Sequence, residues 1–339
     1  MRRSWFAVAL AAVLAAGTGT VSARAAEPVA VGVLKLASSG PVFLAEAKGY
    51  FAAAGLDARL KYFEAAQPVA LAVVSGDVDV GVTGLTAGFY NLAGKGALKI
   101  IAAQSREERG YHLIAYLAAN RAYAAGLRSL ADLPGHSVGI TQVGSTFHYS
   151  LGLLAEKQHF DLARLRLVPL QSIPNMVSAL KGGQVDAALI PATAALPMVA
   201  RGDARLLGWV GDETPWQLGA VFTAPKTIRD RRGVLEKFLV AYRQGAQDFY
   251  DAFLRRNAAG KPIAGKETAA DLAILAKYTG QAPAVIEAGT PYIDPQGRLL
   301  VPDIRHQIAW YQAQGLVDKS VDAAGILDLG FMPGRPAAR

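Results

Sequence analysis

Residues 75–90 read SGDVDVGVTGLTAGFY, and this stretch decides the fold. The valines that alternate with aspartate and glycine over residues 78–82 predict a short buried strand. The strand is expected to end at Thr83 and Gly84, and a helix is expected to open at Leu85 with Thr83 or Thr86 as its cap. A turn from strand to helix points backbone N–H groups outward, so this stretch predicts an anion site.

The same order of residues recurs further along the chain. Residues 183–191, GQVDAALIP, repeat the strand and its end, with Asp186 standing 107 positions after Asp79. Residues 137–140, SVGI, repeat residues 30–33, AVGV, at the same offset. The turn at residues 144–146 takes the place of the turn at Ser38. This duplication predicts two similar lobes that face one ligand.

Composition sets the broad class of the protein. The 339 residues give room for two domains, and a hydrophobic content of 52% excludes a disordered chain. Because the chain has no cysteine, it has no disulfide, thiolate metal site or cysteine nucleophile. The formal charge is +8, and removing the three arginines of the leader described next leaves +5. This mild excess favours small acidic ligands and does not indicate a nucleic-acid partner.

The N-terminus has the pattern of a secretory leader. Arg2 and Arg3 form a basic region, residues 5–16 are apolar, and Ala23-Arg24-Ala25 is an A-x-A cleavage site. The predicted signal peptide is therefore residues 1–25, with a mature periplasmic chain from Ala26. The apolar run is shorter than the roughly 20 residues of a membrane anchor. A cleavage site without a following cysteine excludes a lipoprotein, whereas the export route, general or twin-arginine, stays open.

The remaining pattern indicates an α/β fold. Over residues 29–103 strands and helices alternate, which predicts a mostly parallel sheet flanked by helices, and residues 137–207 repeat that order. Ser39, next to Gly40 and Pro41, is expected to cap the first helix. Residues 218–223 predict a further strand, and residues 233–256, 268–278 and 304–314 predict a helical C-terminal segment.

Several of these segments resemble one family. They are PVFLAEAKGYF at residues 41–51, GLD at 55–57, SGDVD at 75–79, LADLPG at 130–135 and WYQAQGLV at 310–317. The chain resembles periplasmic solute-binding proteins of ABC importers, in the branch of sulfonate-, nitrate- and thiamine-precursor-binding proteins. The resemblance implies the type II periplasmic-binding-protein fold, whose two lobes close on a solute like a hinged clamp. The expected divisions are residues 26–112 for lobe one, 113–216 for lobe two, and 217–339 for a return to lobe one with the C-terminal helices.

In such a clamp the ligand contacts come from strand ends and helix N-termini at the cleft. The candidate ligand-binding residues are Ser38, Ser39, Gly40, Thr83, Gly84, Leu85, Gln104, Gly144, Ser145, Thr146, His148, Pro191, Thr193, Glu213 and Trp216. Simple helix capping is the alternative role for the residues at turns. Trp216, Tyr149 and Phe147 favour an organic, aromatic ligand. The sequence lacks H-E-x-x-H and G-x-S-x-G motifs, so we expect no metal, no cofactor and no catalytic residue.

Together these observations predict a binding protein without enzymatic activity. The expected ligand is a small anionic organic solute, a sulfonate or an aromatic carboxylate, with nitrate and a pyrimidine left open. The expected partners are an ABC permease with its cytoplasmic ATPase, and the protein is expected to be a monomer. The alternatives are an enzyme like the pyrimidine-precursor synthases, which a leader disfavours, and a ligand-sensing partner of a membrane receptor.

Overall fold

The computed structural model describes residues 25–333. The predicted leader lies outside this range except for Ala25, so its cleavage stays a prediction. Between residues 25 and 333, no helix combines the length and the apolar character that crossing a bilayer requires.

The strands of the described residues form two five-stranded sheets and one two-stranded sheet. The first sheet contains, in spatial order, β2 (Leu56–Tyr62), β1 (Glu27–Val33), β3 (Val80–Gly84), β12 (Gly219–Thr223) and β4 (Lys99–Ala103). The second contains β10 (Ala204–Trp209), β6 (Ile114–Ala119), β9 (Ala187–Pro191), β7 (Ser137–Ile140) and β8 (Arg166–Pro169). The short pair consists of β5 (Arg106–Glu107) and β11 (Trp216–Gln217). We call the first sheet with its helices lobe one and the second lobe two.

In each five-stranded sheet four strands run in the same direction, as the sequence predicts, and one strand runs against them. In lobe one β1 pairs in parallel with β2 and β3, but β12 is antiparallel to β3 and β4. In lobe two β7 pairs in parallel with β8 and β9, but β6 is antiparallel to β9 and β10. The two antiparallel strands follow β5 and β11, where the chain crosses between lobes. Each enters its sheet from the crossing, and this explains its reversed direction.

The helices cover the sheets and form the C-terminal segment. They are α1 (Gly40–Ala47), α2 (Tyr50–Ala53), α3 (Ala66–Ser75), α4 (Ala87–Gly94), α5 (Asn120–Ala124), α6 (Thr146–Gln158), α7 (Ile173–Lys181), α8 (Ala192–Ala200), α9 (Val210–Glu213), α10 (Pro225–Phe249), α11 (Thr268–Thr279), α12 (Pro283–Ala288), α13 (Val301–Ala313) and α14 (Ala323–Ile326). Helix α10 packs on α1 and α2, with the rings of Phe238 and Phe51 stacked at 5.2 Å. Helix α13 contacts α4 of lobe one and α6 of lobe two.

One hydrogen bond occurs in the same place in both lobes. The Asp79 carboxylate accepts from the Ala30 N–H at 2.8 Å in lobe one. In lobe two the Asp186 carboxylate accepts from the Ser137 N–H at 2.9 Å, and both of its residues stand 107 positions later. Each bond fixes the residue before one strand, β3 or β9, to the neighbouring strand, β1 or β7. The recurrence supports the internal duplication that the sequence indicates.

The stretch at residues 75–90 departs from its prediction in two details. The strand begins at Val80 instead of Val78, and it ends at Gly84 as predicted. The helix begins at Ala87 instead of Leu85, because Thr86 is its cap and its Oγ1 accepts from the Phe89 N–H at 3.0 Å. The cap therefore lies at the second of the two predicted threonines.

Candidate ligand-binding site

A cavity lies between the two lobes. Residues of both lobes line it, together with Leu218 just before β12. The lining residues are Leu34, Leu36, Ser38, Ser39, Ala65, Ala66, Gln67, Thr83, Gly84, Thr86, Gln104, Leu113, Ile114, Thr141, Gln142, Ser145, Thr146, Phe147, Ile173, Pro191 and Leu218. The cavity thus joins the carboxyl ends of strands from two sheets, where ligands of α/β proteins bind.

Six helices of the described chain begin at this cavity. Helices α1, α3 and α4 do so from lobe one, and α6, α7 and α8 from lobe two, since the first residue or N-cap of each lines the cavity. The N–H groups of a first helical turn lack partners within the helix, and the helix dipole places positive charge there. The electrostatic field in the cavity therefore favours a negatively charged group.

No charged side chain is found among the lining residues that the structure describes. The polar side chains of the lining are hydroxyls and amides, and the remaining surface is aliphatic except for Phe147. An anion in the cavity would consequently be bound by neutral donors and helix N-termini. The aliphatic walls would contact an apolar part of the same molecule.

Ser39 presents a hydroxyl without a partner. Its side chain is 1% exposed, and its Oγ has no hydrogen-bond partner among the described residues. The predicted cap is wrong here, because residues Ala37–Ser39 form a 3-10 turn and Ser39 has φ −88° and ψ 2° instead of the extended N-cap conformation. A buried hydroxyl without a partner is costly, so this oxygen is suited to a ligand.

Other polar groups of lobe one are fixed by hydrogen bonds. The Gln104 Nε2 donates to the Ser38 carbonyl at 2.9 Å, and the Ser105 hydroxyl donates to the Gln104 Oε1 at 3.0 Å. The Thr86 hydroxyl donates to the Gln67 Oε1. The bonds of Gln104 hold the turn at Ser38 on the sheet of its own lobe, and the Thr86 bond joins the start of α4 to α3.

In lobe two the turn before α6 is supported from the back. Ser145 caps the helix, and its Oγ accepts from the His148 N–H at 3.3 Å. The Gly144 N–H donates to the His148 Nδ1 at 3.1 Å, and the Tyr311 hydroxyl of α13 donates to the Ser145 carbonyl at 3.0 Å. Burial lowers the pKa of His148 to about 4, so the ring is neutral at pH 7 and Nδ1 can accept.

The family of the chain follows from a direct comparison. Residues 37–252 match the family described as NMT1/THI5 like, which is more than half of the chain. The chain belongs to the NMT1/THI5-like family. No match was found among curated protein sequences.

Solved structures with this fold include binding proteins and an enzyme. The alkanesulfonate-binding protein SsuA of Xanthomonas axonopodis pv. citri, bound to MOPS, shares 20% identity at a TM-score of 0.71, covering 89% of this chain and 98% of that one. The periplasmic nitrate-binding protein NrtA of Synechocystis PCC 6803 shares 13% identity at a TM-score of 0.68, covering 90% of this chain and 86% of that one. The desulfurization enzyme DSZB shares 12% identity at a TM-score of 0.59, covering 90% of this chain and 97% of that one. The predicted two-lobed periplasmic-binding-protein fold is confirmed.

The structure brings part of the predicted site together in this NMT1/THI5-like chain. The predicted residues that line the cavity are Ser38, Ser39, Thr83, Gly84, Gln104, Ser145, Thr146 and Pro191. Those that do not line it are Gly40, Leu85, Gly144, His148, Thr193, Glu213 and Trp216. For both groups, contact with a ligand stays a prediction.

The residues outside the lining have other contacts. Glu213 pairs with Lys157 of α6 at 2.6 Å. Trp216 is 2% exposed and packs against the ring of Tyr149, with centroids 4.7 Å apart. His148 lies behind the turn, edge-on to Trp310. Only Phe147, of the three aromatic residues expected to favour an aromatic ligand, reaches the cavity.

Sequence reasoning missed the lining residues at further strand ends and helix starts. Leu34 follows β1 and Thr141 follows β7, while Ala66 and Ile173 begin α3 and α7. Within each pair the second residue stands 107 positions after the first. The offset of the repeat, applied to every strand end, is therefore the signal that would have found them.

Proposed function

We propose that this protein is the periplasmic solute-binding component of an ABC importer. It holds a small organic anion between its lobes and delivers it to a membrane permease. The observation that carries the proposal is the cavity between the lobes, where six helix N-termini and neutral donors surround a space with aliphatic walls. The secretory leader predicted from the sequence supports a periplasmic location.

The lining favours a sulfonate or an aromatic carboxylate among the possible solutes. A compact oxyanion matches the helix N-termini and the free hydroxyl of Ser39. An apolar or aromatic body matches Leu36, Leu113, Phe147 and Ile173 on the walls. Nitrate alone would leave those walls without an apolar partner, which makes an organic anion the better fit.

The same lining favours binding over catalysis. Acid–base chemistry needs a carboxylate, imidazole, amine or thiol within hydrogen-bond reach of the reacting atom. The described lining residues supply hydroxyls and amides only, and no histidine or lysine stands beside the Ser39 hydroxyl to activate it. These groups suit a protein that captures and releases its solute unchanged.

A thermal-shift titration tests the ligand class. We expect benzenesulfonate and benzoate to raise the melting temperature, because a ligand that binds only the folded protein stabilises it by about 2.7 kcal/mol at a concentration of 100 times its Kd. Benzenesulfonamide is the matched neutral control, since it keeps the ring and the tetrahedral sulfur without the charge. An equal shift with the sulfonamide, or a shift with nitrate alone, would contradict recognition of an organic anion.

A further inference from the structure

A backbone hydrogen bond joins the two lobes beside the cavity. The N–H of Ala87, the first residue of α4 in lobe one, donates to the carbonyl of Gly144 at 2.8 Å. Gly144 precedes α6 in lobe two. Both residues are buried. A movement that separates the lobes must break this bond and expose both groups to water.

Gly144 satisfies two requirements that other residues would not. Its φ is +80°, in the left-handed region where a side chain is strained. A Cβ at this position would lie 2.8 Å from the Cβ of Ala87, which is closer than real Cβ atoms approach. The absence of a side chain therefore allows the two lobes to meet at this point.

His148 holds Gly144 from the opposite side. The Gly144 N–H donates to the His148 Nδ1 at 3.1 Å, so the two polar groups of the glycine have partners in different parts of the molecule. The ring of His148 is 6% exposed and lies edge-on to Trp310, with centroids 5.3 Å apart. The orientation of the glycine is consequently linked to the helix α13 that packs behind it.

We propose that the bond between Gly144 and Ala87 is a latch that stabilises the closed arrangement of the lobes, and that His148 is the residue that positions it. The latch joins groups of the protein alone, so it favours closure whether or not a solute is bound. The inference rests on the lobe closure of the proposed function and not on the class of solute.

The substitution Ala87→Pro removes the donor with little disturbance to α4. Proline is favoured at the first position of a helix. The preceding residue, Thr86, has φ −119° and ψ 163°, which is the conformation that a residue before proline adopts. The ring would occupy the place of the N–H and collide with the Gly144 carbonyl. Ala87→Gly is the control, because it keeps the N–H and loses only the methyl group.

The distance between the lobes is the direct readout. Leu71 of α3 and Ser178 of α7 are exposed residues at equivalent positions of the two lobes, and the chain has no cysteine of its own. Spin labels at Leu71→Cys and Ser178→Cys would report the distance distribution without added solute and with benzenesulfonate. We expect a short-distance population in the parent chain and in Ala87→Gly. In Ala87→Pro we expect it to fall about tenfold, as the loss of a buried hydrogen bond and a steric clash imply.

Three further variants test the parts of the latch. Gly144→Ala should also reduce the short-distance population, because its Cβ would clash with Ala87. It replaces Ala87→Pro as the test if Ala87→Pro lowers the melting temperature. His148→Leu removes the acceptor for the Gly144 N–H, whereas His148→Asn can present a side-chain oxygen in the place of Nδ1. We expect closure to fall in His148→Leu and to recover in His148→Asn.

Each result decides a part of the inference. A short-distance population in Ala87→Pro equal to that of the parent, or none in the parent under either condition, would overturn the latch. Equal loss in His148→Leu and His148→Asn would mean that the ring acts through packing, and the positioning role would fail. If the distances behave as expected while benzenesulfonate has no effect, the proposed ligand class fails and the latch stands.

Discussion

The two lobes present equivalent turns to one cavity but support them differently. Ser38 and Ser145 line the cavity, 107 positions apart, and both carbonyls accept a side-chain hydrogen bond. The donor to Ser38 is Gln104, at the end of β4 in the same lobe. The donor to Ser145 is Tyr311, on the C-terminal helix α13. One half of the site is thus held by its own sheet and the other by a distant segment.

The reason lies in the residue that takes the place of Gln104. Val210 takes that place, because Trp209 pairs with Ala115 of β6 as Ala103 pairs with Ala220 of β12, and an aliphatic side chain cannot donate. At the next residue, Gly211, a Cβ would lie 2.6 Å from the Glu108 carbonyl oxygen, so no side chain fits there either. A duplicated turn can therefore keep its shape while its support comes from an unrelated part of the sequence.

Among the variants that test the separate support of the two turns, Trp310→Ala should lower the stability most. The indole is 6% exposed, contacts the rings of His148 and Tyr149, and fills the space beside Gly152. Loss of a buried tryptophan costs about 3–5 kcal/mol of unfolding free energy, which denaturant unfolding measures. We also expect faster amide exchange at residues 144–148 and unchanged exchange at residues 37–42.

Phe249→Ala is the matched variant in lobe one, because its ring lies against Gly40 as the indole lies against Gly152. This variant should also lose about 3–5 kcal/mol of unfolding free energy. Amide exchange should become faster at residues 37–42 and stay unchanged at residues 144–148. If both variants loosened both turns equally, separate support of the two lobes would be wrong.

Acidification should weaken lobe two through His148. Burial lowers its pKa to about 4 from the usual 6.5, so between these values the unfolded chain binds a proton that the native protein does not. Stability is therefore full above pH 6.5 and falls as the pH drops towards 4, by about 3 kcal/mol in total. The equivalent position of lobe one is Pro41, which does not titrate.

Unfolding curves between pH 4 and pH 7 measure this effect. We expect the slope of the unfolding free energy against pH to decrease in His148→Asn. In His159→Asn, which changes an exposed histidine at a left-handed position that asparagine tolerates, the slope should be retained. The same slope in all three proteins would show that other groups cause the pH dependence.

The smallest effects are expected for variants that remove the hydroxyl of Ser145 or of Ser39. Ser145→Ala removes a helix cap and should cost about 1 kcal/mol of unfolding free energy. Ser39→Ala removes a buried oxygen without a partner, so it should not lower the unfolding free energy. We expect both variants to bind benzenesulfonate more weakly, and Ser145→Ala combined with Thr146→Ala by about tenfold.

Calorimetric titration beside melting curves distinguishes the roles. If the double variant loses stability and keeps its affinity within about twofold, Ser145 and Thr146 act only as caps. If Ser39→Ala loses stability as Ser145→Ala does, the hydroxyl of Ser39 has a structural role and the contrast between the lobes disappears.

Local sequence signals predicted the fold and the turns of the site. The repeat and the strand-to-helix turns depend on nearby residues, and they placed Ser38, Ser39, Ser145 and Thr146 correctly at a strand end near the cleft. The state of each hydroxyl could not be predicted, because it depends on backbone angles. Ser145 has ψ 169° and caps, whereas Ser39 has ψ 2° and does not.

The support of lobe two could not be read from the sequence either. Tyr311 and Ser145 are separated by 166 residues, and no local pattern relates them. The same holds for Trp216, which packs on Tyr149 and does not line the cavity. Its position depends on how the crossing strands pass behind α6, and such long-range packing leaves no periodic signal.

The position of β12 in the first sheet sets the order in which the two sheets can form during synthesis. All strands of the second sheet come from one continuous stretch, residues 114–209, so they can assemble as that stretch emerges. The first sheet has β12 between β3 and β4, and it has a gap until residue 223 has been made. Until then β3 and β4 present unpaired edges, to which other chains can add. A nascent chain with lobe two folded and lobe one open is therefore the form that chaperones would meet.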